Sequence, residues 1–138
     1  MMPKGSTSIA AALALGLFAL VTVPVTAQPE DARLSPATHR ELAVARAATA
    51  RYHDVAQAEA DGYVNINLYE AQEGFHWVNM SLIDAEFDAA KPEVLLYAPV
   101  PGEQRLQLVG VEYLVPIALS ATAPAGFAGS SDRWRQDE

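Results

Sequence analysis

The chain contains three histidines, His39, His53 and His76, and no cysteine, so any metal-binding or proton-transfer chemistry has to be built from imidazoles and carboxylates. His76 stands apart from the other two. It lies in the aromatic strand pattern Gly74-Phe75-His76-Trp77-Val78-Asn79-Met80-Ser81-Leu82, whereas His39 and His53 fall in an alanine-rich helical stretch. Glu112 is the second unusual residue, because it interrupts Leu106 to Ile117, the longest apolar strand pattern in the chain. A carboxylate between Leu108 and Leu114 must reach solvent, find a partner or hold a proton, since an isolated buried charge is costly. If two strands bring His76 and Glu112 face to face, the carboxylate fixes the imidazole tautomer and raises its basicity. That arrangement suits a metal ligand or a general base. The same two residues also fit a buried polar pair that only satisfies itself. Asp84 could join them, and Trp77, Tyr97 and Tyr113 are expected to supply the aromatic lining of a small-ligand site. These residue types assign no catalytic residue, no particular ion and no cofactor.

Other chemistries lack their residues. Zinc sites commonly use short ligand spacings such as His-x3-His, which the three histidines do not provide. Asp84, Glu86 and Asp88 alternate as the start of a calcium loop would. The pattern then fails, with Ala89 where the sharp-turn glycine belongs and Leu95 where a bidentate glutamate is expected. There is no Gly-x-Ser-x-Gly elbow, phosphate loop or dinucleotide fingerprint. His53-Asp54 is not a dyad by spacing, because helix neighbours point about 100° apart. The Asn79-Met80-Ser81 sequon has meaning only in a host that glycosylates.

The elements that must position these residues are a helix and four strands. Ser35-Pro36 and Thr38-x-x-Glu41 are competing helix starts, and both lead into Leu42, Ala45, Ala48, Tyr52 and Val55 at spacings of three and four. The helix is expected to run from about Pro36 to Asp61 and stop at Gly62, with Glu59 and Asp61 crowding the negative end of its dipole. From Tyr63 the period becomes two, with Val64, Ile66 and Leu68 on one side. Glu70 to Gly74 makes a turn into the His76 strand. Glu93 to Tyr97 reads as a third strand and Leu106 to Ile117 as a fourth. In the fourth, Leu106, Leu108, Glu112 and Leu114 share one side, with Gly110 as a bulge. The expected fold class is therefore α+β: one N-terminal helix packed on a small antiparallel sheet of about four strands.

Residues 1–27 read as an export signal, with Lys4 at its start, the apolar run Ile9 to Val23 and the small-residue site Val25-Thr26-Ala27. The apolar run is shorter than the roughly 20 residues a spanning helix needs, so no membrane anchor is expected after cleavage. Residues 28–35 form a leader, 36–119 a single domain, and 120–138 a flexible tail rich in Ala, Gly, Ser, Thr and Pro. From Gln28 onward there are eight Lys and Arg against seventeen Asp and Glu, a net charge of −9. So acidic a surface repels phosphate backbones and excludes nucleic acid as a partner.

Five blocks in order carry a resemblance: Ala50 to Val55, Ala60-Asp61-Gly62-Tyr63, Gly74 to Asn79, Lys91 to Tyr97 and Val109-Gly110-Val111-Glu112-Tyr113. Across residues 45–127 the chain resembles a family of small exported bacterial proteins of uncharacterised function. Members typically continue into a further segment rich in His, Trp, Asn and Pro, so this sequence looks like a shortened member. The resemblance implies export and one α+β domain, and it implies no reaction. The expectation is a periplasmic or extracellular protein that binds a small molecule or metal ion without catalysis. The alternatives are a hydrolase or lyase using a His-Glu acid/base pair, and a structural interaction module of the envelope.

Overall fold

The computed structural model describes residues 34–129 and 132–136. The expected signal, residues 1–27, and most of the leader lie outside the described residues. Helix α1, Pro36–Thr49, starts at Ser35, whose hydroxyl accepts the Thr38 amide at 3.0 Å. Pro36 occupies the first turn, where its missing N–H costs nothing. Glu41 is not used in the cap; its Oε2 accepts the Ala128 amide at 2.6 Å, while the Thr38 hydroxyl donates to the Ala128 carbonyl.

The expected single helix to Asp61 is interrupted. A 3-10 turn, Ala50–His53, leads to Asp54, whose backbone is extended at φ −94°, ψ 111°. Its carboxylate accepts the Ala56 amide at 3.0 Å and starts a separate helix α2, Val55–Ala60. Asp54 acts as an N-cap, and a capping aspartate competes with helix continuation. Asp61 then ties α2 to the 3-10 turn. It accepts from Tyr52 Oη at 3.1 Å and Gln57 Nε2 at 3.2 Å, and it pairs with Arg51 at 2.9 Å.

Four strands follow: β1 Val64–Glu70, β2 Gly74–Val78, β3 Val94–Pro99 and β4 Leu106–Glu112. They form an antiparallel sheet in chain order, so the fold is α+β. Gly74 fits where no other residue would, because its φ is +106° and a Cβ there would lie 2.5 Å from the Tyr97 carbonyl oxygen.

Directly opposed residues share a sheet face. One face carries the rows Phe75, Tyr97, Leu108 and Trp77, Leu95, Val111. With Ala58 and Tyr63 this face forms the main buried cluster, against which Tyr52 and Val55 pack. Its phenols are neutral donors: Tyr97 Oη reaches the Tyr52 carbonyl at 2.5 Å and Tyr63 Oη the Pro92 carbonyl at 2.6 Å. Burial pushes the Tyr97 phenol up to about 12, so it keeps its proton and donates at neutral pH. The other face carries the rows His76, Leu96, Gly110 and Val78, Val94, Glu112. Its apolar cluster is smaller, consisting of Val78, Val94 and Leu96 with Ile83 against them.

A bulge in β4 corrects the expected side-chain pattern. Leu96 opposes Gly110 while Tyr97 opposes Leu108, leaving Val109 as the extra residue. Leu106 and Leu108 therefore pack with Val111 against the helix-side cluster, and Glu112 falls on the opposite face rather than between leucines. A second irregularity, in β1 between Asn65 and Tyr69, places Asn67 at φ +58° with its amide bonded to Asn65 Oδ1. Val64, Ile66 and Leu68 on this edge strand stay exposed. No helix among the described residues is long and apolar enough to cross a membrane.

Candidate functional site

The structure brings His76 and Glu112 together. From the centre of β2 the His76 side chain rises on the face away from the helices, where the residue is 6% exposed. Glu112, at the end of β4, reaches over β3 to place its Oε2 3.5 Å from His76 Nε2. A second carboxylate approaches the same nitrogen from the β1–β2 turn, with Glu73 Oε2 at 3.8 Å. Glu70, the last residue of β1, completes a group with Glu73 and His76 in which one ligand atom from each lies within 4.8 Å of the others. At the outer edge, Arg135 Nη1 is 3.6 Å from Glu73 Oε1.

Two features distinguish this arrangement from an ordinary buried ion pair. His76 Nδ1 and Glu73 Oε2 are both buried and have no hydrogen-bond partner. Nitrogen–oxygen distances of 3.5 and 3.8 Å also exceed the roughly 2.7–3.2 Å of an N–H···O bond. They are close to the edge of a ligand tetrahedron, about 3.4 Å for metal–ligand bonds of about 2.1 Å. Burial is the main cause pushing the Glu112 carboxyl above its ordinary value; His76 pulls it back, Glu73 pushes it up and Arg135 pulls it down. Burial costs the charged form most where no solvent or donor replaces its hydration.

The other sequence-derived candidates are placed elsewhere. Asp84 lies exposed in the loop between β2 and β3, where its Oδ1 accepts the Glu86 amide at 2.8 Å, and it is not one of the groups gathered at His76. Trp77 and Tyr97 do not line the site, because strand alternation puts them on the helix-covered face, ring against ring at 5.4 Å. Of the three expected aromatics, only Tyr113 lies beside Glu112, in the wall of an adjoining cleft. Its hydroxyl donates to the Ala89 carbonyl at 2.8 Å.

Asn79, the sequon residue, is 4% exposed and structural. Its Nδ2 donates to the Asp61 carbonyl at 2.9 Å and its Oδ1 accepts from the Ser81 amide at 3.0 Å. A glycan on Nδ2 would have to fit at this buried position, beside the bond to the Asp61 carbonyl.

Sequence reasoning missed Glu70 and Glu73 because both fall in or beside what reads as a solvated turn. The signal was nevertheless present as Glu70-x-x-Glu73-x-x-His76, a spacing that a tight hairpin folds into one cluster. Arg135 had no signal, since its place depends on how the segment after β4 returns to the sheet. No protein family, curated protein or solved structure matches the chain.

Proposed function

We propose that this chain is an exported, non-catalytic metal-binding domain whose site is formed by Glu70, Glu73 and His76, with Glu112 as a further carboxylate beside the same imidazole nitrogen. One observation carries the reading: a buried imidazole and two carboxylates offer ligand atoms that lie within 4.8 Å of one another, and one oxygen of Glu73 is buried without a hydrogen-bond partner. A divalent ion would neutralise carboxylates that otherwise repel one another. It would also supply partners for the orphaned Glu73 oxygen. The imidazole donor favours a borderline ion such as zinc over calcium, which takes six to eight oxygens. Export rests on the signal pattern of residues 1–27, and the resemblance to small exported bacterial proteins agrees with it. A periplasmic or extracellular location follows from the same pattern.

The test is thermal unfolding and calorimetry of the purified chain with zinc, cobalt, nickel, manganese and calcium. An ion at about 100 times its dissociation constant stabilises the folded state by about 2.7 kcal/mol. Zinc is expected to raise Tm more than calcium does, and His76→Ala and Glu73→Gln are expected to remove the shift. An unchanged Tm with every ion would refute the reading. The acid/base alternative has less support, because the 3.5 Å separation is beyond hydrogen-bond reach and the imidazole is shielded from solvent. The interaction-module alternative draws on the exposed row Val64, Ile66 and Leu68 along edge strand β1. Ile66→Lys would abolish self-association or partner binding if that row were the working surface.

A further inference from the structure

Beyond β4 the described residues from Tyr113 onward form neither helix nor strand, and they enclose a cleft of about 820 Å³ against the sheet. That volume falls within the roughly 300–1,000 Å³ typical of small-molecule sites. Part of its wall is aromatic. Phe87 lies 4.6 Å from Tyr113, 4.9 Å from Phe127 and 6.4 Å from Trp134, ring centre to ring centre, and all four rings line the cleft. Another part carries the carboxylates Glu73 and Glu112. The two parts adjoin on both sides: Glu112 precedes Tyr113 in the chain, and Arg135, whose guanidinium is 3.6 Å from Glu73, follows Trp134. Consecutive Cα atoms are about 3.8 Å apart, so a ligand only a few bonds long spans from carboxylate to ring.

The charged groups of the wall are unequally matched. Glu73 meets Arg135, and Asp132 and Arg133 are exposed chain neighbours of opposite sign. Glu112 is left over. Among the described residues its one ion-pair contact is with His76, at 3.5 Å, and its side chain is only 33% exposed. A half-buried carboxylate without a permanently charged partner favours an outside cation, because burial has removed water that nothing else replaces. The aromatic wall selects the same sign, since the face of a ring carries negative potential and attracts a cation. An ammonium also brings three donors to carboxylate oxygens that only accept.

We infer that the cleft binds a small aromatic amine, with its ammonium at Glu112 and its ring against Phe87, Phe127 and Trp134. The amine site goes beyond the metal reading and does not depend on it, because it uses the cleft wall and neither His76 nor Glu70. The ring supplies area that a short aliphatic amine lacks, and aromatic side chains take edge-to-face partners at about 4.5–7 Å. Glu112 stands between the two sites, so an ion beside His76 is expected to weaken the amine by like-charge repulsion.

The experiment is calorimetric titration of the full chain in chelator with phenethylamine, phenylacetate and ethylamine, repeated on Glu112→Gln and Trp134→Ala. Phenethylamine is expected to bind at least tenfold more tightly than phenylacetate, which reverses the charge, and than ethylamine, which lacks the ring. Glu112→Gln keeps the shape of the side chain and is expected to weaken phenethylamine at least tenfold. Trp134→Ala is expected to remove the advantage over ethylamine. Absence of phenethylamine binding, equal affinity for phenethylamine and phenylacetate, or full-strength binding by folded Glu112→Gln overturns the inference. If circular dichroism shows Glu112→Gln unfolded, the amine and acid titrations of the unaltered chain still decide the sign of the charge. Zinc binding without amine binding overturns this inference and leaves the metal reading standing; amine binding without zinc binding does the reverse.

Discussion

The two faces of the sheet are built from the same strands, yet they solve different problems. On the helix side Leu95 and Tyr97 are fully buried, and each of the phenols Tyr63 and Tyr97 donates to a backbone carbonyl. On the other side a small apolar cluster shares its surface with His76 and Glu112, and the bonds there are long. Both faces leave orphaned buried atoms, but of different kinds. Trp77 Nε1 is one weakly polar donor, whereas Glu73 Oε2 and His76 Nδ1 belong to ionisable groups, with Glu73 Oε2 3.8 Å from the other nitrogen of that imidazole, Nε2. The helix-covered face therefore supplies stability, and the open face retains the chemistry that a wholly apolar core would not tolerate.

The largest effect is expected where both faces depend on one backbone position. Gly74→Ala forces a Cβ into the Tyr97 carbonyl at a left-handed φ, and a loss of about 3–5 kcal/mol in urea unfolding is expected, with zinc affinity lost alongside. Next comes the direct comparison of sequence neighbours on opposite faces. Trp77→Ala should cost about 3–5 kcal/mol, while His76→Ala should cost about 1–2 kcal/mol in chelator and remove metal binding. If His76→Ala proved as destabilising as Trp77→Ala, the division of labour between the faces would be wrong. A smaller loss of about 1 kcal/mol is expected for Tyr97→Phe, which removes one hydrogen bond and no packing.

The pH response separates the faces again. Burial raises the Glu112 carboxyl and, in the loop before β3, that of Glu93. A raised carboxyl holds its proton more tightly in the folded protein than in the unfolded chain, so folding stability falls as pH rises from the ordinary carboxylate range through the folded values. Tm in chelator is therefore expected to decline as pH rises above the ordinary carboxylate range of about 4, with zinc cancelling the Glu112 share and Glu112→Gln removing it. Asp88, held low by the Ala90 amide and Lys91, runs the other way from a largely exposed position. The smallest effect is assigned to Asp84→Asn, within about 0.5 kcal/mol and without change in zinc affinity, because that carboxylate serves only a local turn.

The candidate site was partly legible in advance. His76 and Glu112 stood out because each breaks an apolar strand pattern, and the structure sets them 3.5 Å apart. The reason first given for Glu112 was nevertheless wrong in detail. Counting by two placed it among Leu106, Leu108 and Leu114, whereas the extra residue at Val109 moves it to the other side. Asp84 was the residue that could join the pair if folding brought it near, and the loop geometry places it elsewhere. Trp77 could be excluded by strand alternation alone, since it adjoins His76.

Local order in the sequence determined that this chain makes a helical segment and four strands, because period, caps and glycines act within a few residues. Ser35, Asp54, Gly62 and Gly74 each set an element end through their own backbone and side-chain preferences. Only the tertiary structure decided which carboxylates meet the imidazole. That depends on strand order, on one bulge and on a hairpin turn, and these are fixed by packing between residues far apart in the chain. The same packing brings Glu112 from the last strand to the His76 nitrogen and Arg135 from beyond that strand to Glu73.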